Sequence, residues 1–428
     1  MPEPTTLNAD SIEIRPRGGL DVSFRPPGSR SVTNRALVAA ALAPGRSEIA
    51  GVTASDDALA MRSGLGRLGV AIEGDGRTWT VSGRGGQLAA PSETVDVRAS
   101  GTTARFLTAA AALAAGPVRI DGIARMRERP IDDLVAALAA LGAPGRILGT
   151  GGCPPVEMAG GGLPGGEATI DASRSSQFVS GLLLAAPCAK RDVVLHLQGG
   201  ALVSRPFVDL TLEVMEAFGA QAGWRGDASL EVRASGYTAR DYAVEPDAQA
   251  AVYGFAAAAI TGGHVRVEGL GAGSAQGDLG ILDALEMMGC RVTRDADNIE
   301  IDGPTTLRGV RVDANGWPDA ALALAVVAMY ADEPSEICGL AHLRIKETDR
   351  LAALENEITR MGASATASGD VLRIEPGALR GAEIETYDDH RMAMSFALAG
   401  LRTPGVTILG PGCVVKTWPD FFDVLERW

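Results

Sequence analysis

One punctuation pattern recurs six times along the chain and limits the folds open to it. Each copy is a run of small apolar residues, then a short β-prone run, then a glycine. The copies read SVTNRALVAAALAPGRSEIAG, GTTARFLTAAAALAAGPVRIDG, SSQFVSGLLLAAPCAKRDVVLHLQG, DAQAAVYGFAAAAITGGHVRVEG, PDAALALAVVAMYADEPSEICG and DHRMAMSFALAGLRTPGVTILG. Their closing glycines, Gly51, Gly122, Gly199, Gly269, Gly339 and Gly410, are spaced 71, 77, 70, 70 and 71 residues apart. A fixed period of this size marks a repeated supersecondary unit.

A second helical pattern follows each of the first five copies and ends in glycine, at Gly69, Gly142, Gly219, Gly289 and Gly362. Glycine there suits a helix C-cap, because it takes the left-handed conformation cheaply. In the fifth copy Leu351, Leu354, Ile358 and Met361 form the apolar stripe. Short alternating runs such as RTWTVSG and VLRIEPG then read as strands. The first helix of each unit is apolar on every side, as expected of a buried helix. The sixth copy stops after KTWPDFFDVLERW, and the first 27 or so residues resemble its missing strands. These features predict an α/β (α+β) chain of two lobes, each an inside-out barrel-like body of three βαβαββ repeats. The expected boundaries are 28–244 for repeats one to three, and 1–27 plus 245–428 for repeats four to six.

Composition narrows the function. The net charge is −14, which argues against a nucleic-acid binder but leaves room for a local basic site. The five cysteines are scattered, with no CxxC or Cys/His cluster, so neither a disulfide framework nor a zinc site is expected. The N-terminus lacks an apolar signal core, and no apolar run reaches membrane length. A cytoplasmic monomer is the expectation, since each lobe has material for its own core.

The apolar helices begin at residues able to cap: Ser31, Thr102, Ser175, Asp247, Asp319 and Asp389. Cations crowd the same places: Arg30, Arg35, Arg105, Arg129, Lys346, Arg350, Arg391 and Lys416. A helix N-terminus is already partly positive, so added cations disfavour folding unless an anion joins them. In LRIKETDRL, Lys346, Glu347, Asp349 and Arg350 are read as one crowded first turn. Lys346 and Arg350 would share a face there, with Glu347 beside them as an ionised base. Recurrence across repeats predicts a cleft between the lobes for a highly anionic ligand.

The motifs PPGSRSVTNRAL, SGTTARFL, RERPI, SSQFVSGLLL, VSRPFVDLTL, PDAALA, RIKETDRL, DDHRMAMSFAL and KTWPDFF occur in that order. On these the chain resembles the EPSP synthase family, the 3-phosphoshikimate 1-carboxyvinyltransferases, over essentially its whole length. The resemblance implies transfer of the enolpyruvyl group of phosphoenolpyruvate to the 5-hydroxyl of shikimate 3-phosphate, with release of phosphate. It implies no metal and no organic cofactor. It implies that Arg30, Ser31, Arg35, Ser175, Ser176, Gln177, Ser204, Asp319, His342 and Lys346 bind shikimate 3-phosphate. Phosphoenolpyruvate would be held by Arg30, Gly101, Arg129, Gln177, Arg350, Arg391 and Lys416. Asp319 and Glu347 are the implied proton-transfer residues.

The chain departs from the family pattern at four places. Arg30 replaces the lysine of PGSKS, Ala99 an asparagine, Phe207 a tyrosine and His342 an asparagine. Arg30 keeps the charge as a planar fork instead of a compact ammonium. His390 is open to either a supporting or a proton-transfer role. Three other readings compete. A transferase acting on UDP-N-acetylglucosamine usually has a reactive cysteine in the second repeat, and no cysteine lies between residues 101 and 152. A paralogue for another cyclic acid and a non-catalytic repeat scaffold are the others.

Overall fold

The computed structural model describes residues 10–428. The expected joining of residues 1–27 to repeats four to six therefore falls partly on residues 1–9, outside the described residues. In chain order the α-helices are α1 (Arg30–Leu42), α2 (Asp56–Arg67), α3 (Gly101–Ala111), α4 (Asp132–Ala140), α5 (Ser176–Ala185), α6 (Pro206–Ala217), α7 (Ala248–Thr261), α8 (Ile281–Met287), α9 (Ala321–Ala328), α10 (Arg350–Arg360), α11 (His390–Gly400) and α12 (Phe421–Arg427). Odd-numbered helices are the apolar ones and even-numbered helices the amphipathic ones.

The third repeat shows the sheet rule. Strand Gly166–Ala172 runs parallel to Val193–Leu202, with Ala168 opposite Leu195. Ser229–Val232 then pairs antiparallel, placing Leu230 opposite Leu195, and Ala222–Trp224 closes the outer edge. Five four-stranded sheets follow this order, and a sixth has three strands among the described residues.

The chain divides into two compact units, Gly28–Glu245 and residues 10–27 with Pro246–Trp428. Each has its own hydrophobic core. The first strand of two repeats is exchanged to achieve this. Tyr242–Ala243, just before α7, pairs with Pro44–Ala50 of the first repeat. Asp21–Phe24, just before α1, pairs with His264–Glu268 of the fourth. The expectation that the N-terminal segment completes the last repeat thus needs correction. Ser11–Glu13 does pair with Thr407–Leu409 of the sixth sheet, but Asp21–Phe24 serves the fourth. The unit boundary falls between a repeat's first strand and its first helix.

The apolar helices are buried along nearly their whole length. Small residues let their backbones approach. A Cβ on Gly181 of α5 would lie 2.9 Å from the Arg105 carbonyl oxygen of α3, so only glycine permits this spacing without a shift. The five glycines ending the amphipathic helices have φ between 80° and 107°, as a left-handed cap requires. The stripe Leu351, Leu354, Ile358 and Met361 is buried.

Three of the six expected helix caps fail. Ser29 and Ser100, not Ser31 and Thr102, cap α1 and α3. Asp319 does not cap α9, whose N-cap position is Ala320. Ser175, Asp247 and Asp389 do cap α5, α7 and α11. The crowded first turn is also redrawn. A 3-10 helix, Ala341–Ile345, precedes Lys346, and α10 begins only at Arg350, capped by Asp349. Lys346 and Glu347 lie on the link between them, so they share no helix face with Arg350.

Candidate active site

In the unit Gly28–Glu245 the starts of several helices are tied by arginines. Arg30, the first residue of α1, pairs with Asp57 of α2 at 2.8 Å. Arg35, one turn on, is 3% exposed. Its Nε donates to Thr211 Oγ1 at 2.8 Å, and its Nη1 and Nη2 donate to the carbonyls of Ser31 and Phe207 at 2.9 Å each. All these acceptors are neutral. Burial, then repulsion from Arg30, pulls the Arg35 guanidinium down to about 9. The charge of this buried guanidinium is not matched by these partners.

Gly101 opens α3, and Arg129 follows the 3-10 helix Ala124–Glu128. A Cβ on Gly101 would stand 2.6 Å from Arg129 Nη2, so the absence of a side chain admits the guanidinium. Ser175 caps α5 by accepting the amide of Gln177 at 3.2 Å. The Gln177 amide donates to Thr102 at 3.3 Å, which joins the starts of α3 and α5. Ser176 and Ser204 are buried, and Ser204 holds a φ of 54° just before α6. A non-glycine residue in the left-handed region stores strain, a mark of functional turns.

In the unit formed by residues 10–27 and Pro246–Trp428, cations and carboxylates meet directly. Arg350 is 1% exposed. It donates to Asp389 at 2.7 and 3.2 Å, to Asp319 at 2.8 Å and to Glu347 at 2.9 Å. Arg391 reaches the second oxygen of Asp319 at 3.0 Å, and Lys416 bonds Glu347. Burial by itself would raise the Asp319 carboxyl, but Arg391, Arg350 and Lys346 outweigh it and hold it well below the carboxylate range. Burial likewise opposes the charge on Arg350, and Asp389, Glu347 and Asp319 reverse this and raise it well above its ordinary value. His342 is buried with Nε2 unpartnered; burial, then Lys346, brings it down to about 3, so it is neutral. His390 is also held neutral by burial and the nearby cations, first Lys416.

A common placement emerges in three repeats. Arg129, Lys346 and Lys416 each stand at the end of a 3-10 helix that leads to an amphipathic helix. Sequence reasoning put these cations at helix starts without seeing the intervening turn. It missed Asp57, Gln249 and Asp278, which complete the two clusters. Asp57 follows a capping serine, and Gln249 follows a capping aspartate, so both read as ordinary first-turn residues. Among the described residues no group of three or more His, Cys, Asp or Glu could hold a metal ion.

A family model described as EPSP synthase (3-phosphoshikimate 1-carboxyvinyltransferase) matches residues 14–425. The chain belongs to the EPSP synthase family. A 3-phosphoshikimate 1-carboxyvinyltransferase of Nostoc punctiforme is 42% identical over 98% of this chain and 100% of its own length. One from the archaeon Methanoculleus marisnigri is 42% identical over 97% and 98%. The solved EPSP synthase of Acinetobacter baumannii superposes with a TM-score of 0.82, at 30% identity and 97% coverage of both chains. The enolpyruvyl transferase NikO of Streptomyces tendae, 20% identical, shares the fold with a TM-score of 0.79. Family membership makes the chain a transferase of the shikimate pathway, in aromatic biosynthesis. No helix among the described residues is long and apolar enough to cross a membrane.

Proposed function

We propose that both clusters serve one reaction, transfer of the enolpyruvyl group of phosphoenolpyruvate to the 5-hydroxyl of shikimate 3-phosphate. Arg30, Ser31, Arg35, Ser175, Ser176, Gln177, Ser204, Asp319, His342 and Lys346 bind shikimate 3-phosphate. Arg129, Arg350, Arg391 and Lys416, with Arg30, Gly101 and Gln177, bind phosphoenolpyruvate. No cofactor is needed. The protein works as a monomer in the cytoplasm, a reading supported by its five free thiols and by a separate core in each unit.

The reaction needs a base at the hydroxyl and an acid at the methylene carbon. The hydroxyl oxygen bonds to C2 of phosphoenolpyruvate while its proton passes to Asp319, and C3 takes a proton from the Glu347 carboxyl, which enters the step protonated, to become methyl. The C2–O bond to phosphate then breaks, phosphate departs with the proton held by Asp319, and C3 returns a proton to the Glu347 carboxylate to restore the vinyl group. Cations fixed in advance stabilise the polyanionic intermediate throughout.

The observation that carries this reading is the ion network around Arg350. Asp319 pairs with Arg350 and Arg391, and Glu347 with Arg350 and Lys416, within one cluster. Anionic substrate groups arriving at Arg350 and Arg391 would share those N–H donors and loosen their hold on Asp319. Its affinity for a proton then rises when substrate is bound. Phosphate release should require both substrates. Asp319→Ala and Glu347→Ala should each lower kcat about 100-fold or more while circular dichroism is unchanged. Turnover near wild type in either variant removes that residue's role. Inactivity with shikimate 3-phosphate but activity with another cyclic acid would replace the acceptor.

A further inference from the structure

Gln249, the second residue of α7, is 6% exposed and lies inside the ion network. Its amide oxygen accepts a hydrogen bond from Arg391 Nη2. Its amide nitrogen donates to Asp319 Oδ2 at 3.3 Å. The same side chain also hydrogen-bonds the carboxyl of Asp278, a residue 1% exposed at the 3-10 turn before α8. These partners fix the amide's orientation, because a guanidinium only donates and a carboxylate only accepts. The amide oxygen and one N–H are thereby fixed.

We propose that Gln249 is a positioning residue for the reaction, holding Asp319 and Arg391 in register, and that Asp278 holds Gln249 in turn. The proposal rests on the reading that Asp319 takes the hydroxyl proton and Arg391 binds phosphoenolpyruvate. The physical need for such a residue is plain. Asp319 is pulled by Arg350 on one oxygen and Arg391 on the other. When a substrate anion draws on Arg391, a neutral donor that does not move keeps Oδ2 aimed. A Gln amide supplies it without adding charge. Asp278 is the anchor: its bond to Gln249 ties the amide to the 3-10 turn before α8. Burial, then the nearby Asp319 charge, pushes Asp278 up to about 7.

The test uses the full chain and steady-state phosphate release with both substrates. Gln249→Met keeps the volume and removes the fork. It should lower kcat about 10- to 100-fold and raise KM for phosphoenolpyruvate, with an unchanged melting temperature. Asp278→Ala should produce a smaller loss of the same kind. Asp278→Asn keeps an acceptor and should recover most of that loss, which a merely space-filling role would not require. The double variant Gln249→Met with Asp278→Ala should be no worse than Gln249→Met alone, because the two act in series. The proposal is overturned if wild type is active, Asp319→Ala is inactive, and Gln249→Met stays within about twofold of wild type. Losses that multiply in the double variant overturn the role of Asp278. If Asp319→Ala is as active as wild type, the underlying site reading fails first. If Gln249→Met does not fold, the comparison of Asp278→Ala with Asp278→Asn decides alone.

Discussion

Replacing Arg350 by methionine tests the electrostatics of the ion network most severely. The guanidinium makes four hydrogen bonds to three carboxylates and is 1% exposed. Methionine approximates its length but leaves buried Asp389 and half-buried Asp319 and Glu347 around an apolar thioether. Breaking a buried pair by removing one partner costs about 3–5 kcal/mol, mostly from the stranded charge. A loss of about 4 kcal/mol at pH 7.5 corresponds to a fall of about 8–16 °C for a unit of this size. The loss should depend on pH in a set direction. In wild type the depressed Asp319 stabilises the fold above the ordinary aspartate range, and that contribution is lost only as pH falls through its lower folded value. Its contribution is therefore flat between pH 5 and 7.5. In the variant the carboxylates lose their main cation and repel one another, so their folded values rise and stability falls as pH rises. The deficit should shrink toward pH 5, by up to about 1.4 kcal/mol per pH unit for each carboxylate that takes up a proton. The buried histidines lose the repulsion of Arg350 in the variant, so their folded values rise and act in the same direction, shrinking the deficit toward pH 5. Calorimetric unfolding at pH 5 and pH 7.5 reads this directly. A loss under about 1 kcal/mol, or the same loss at both pH values, would refute the reasoning.

Other outcomes follow from single contacts. Arg35→Met should leave stability within about 1 kcal/mol, since Arg35 faces neutral acceptors, yet abolish detectable shikimate 3-phosphate binding in a calorimetric titration. Gly101→Ala places a Cβ against the Arg129 guanidinium, a movable group, so the fold survives while KM for phosphoenolpyruvate rises about ten- to a hundredfold. His342 has a folded value of about 3, below its unfolded 6.5, so its contribution to stability is complete above pH 6.5 and declines below it. Urea denaturation of His342→Asn between pH 4.5 and 7 should show a shallower loss on the acid side, smaller by up to about 1.4 kcal/mol per pH unit.

Much of the fold was legible because the repeat punctuates itself. Six apolar runs and five capping glycines impose a period that local chemistry alone can write. Family motifs supplied the candidate site residues. What stayed hidden was non-local. Asp319 resembles a helix cap in sequence, because Asp is a preferred cap; only the packing brings Arg350 and Arg391 to its two oxygens. The same holds for Lys346 and Glu347, whose charges suited a first turn until a 3-10 helix displaced the true start to Arg350. The exchange of strands Asp21–Phe24 and Tyr242–Ala243 was invisible too. Short strands carry no address, and their partners lie roughly 190 to 240 residues away in the chain. Gln249 and Asp278 gave no signal, since each is unremarkable beside its neighbours in sequence.

Phosphorus and proton magnetic resonance of one reaction mixture, holding the protein with shikimate 3-phosphate and phosphoenolpyruvate, tests the central claim most directly. The account predicts inorganic phosphate and a vinyl ether of shikimate 3-phosphate rising together in equal amounts, and neither when one substrate is left out. Phosphate appearing without the ether, or no change with both substrates present, would contradict it.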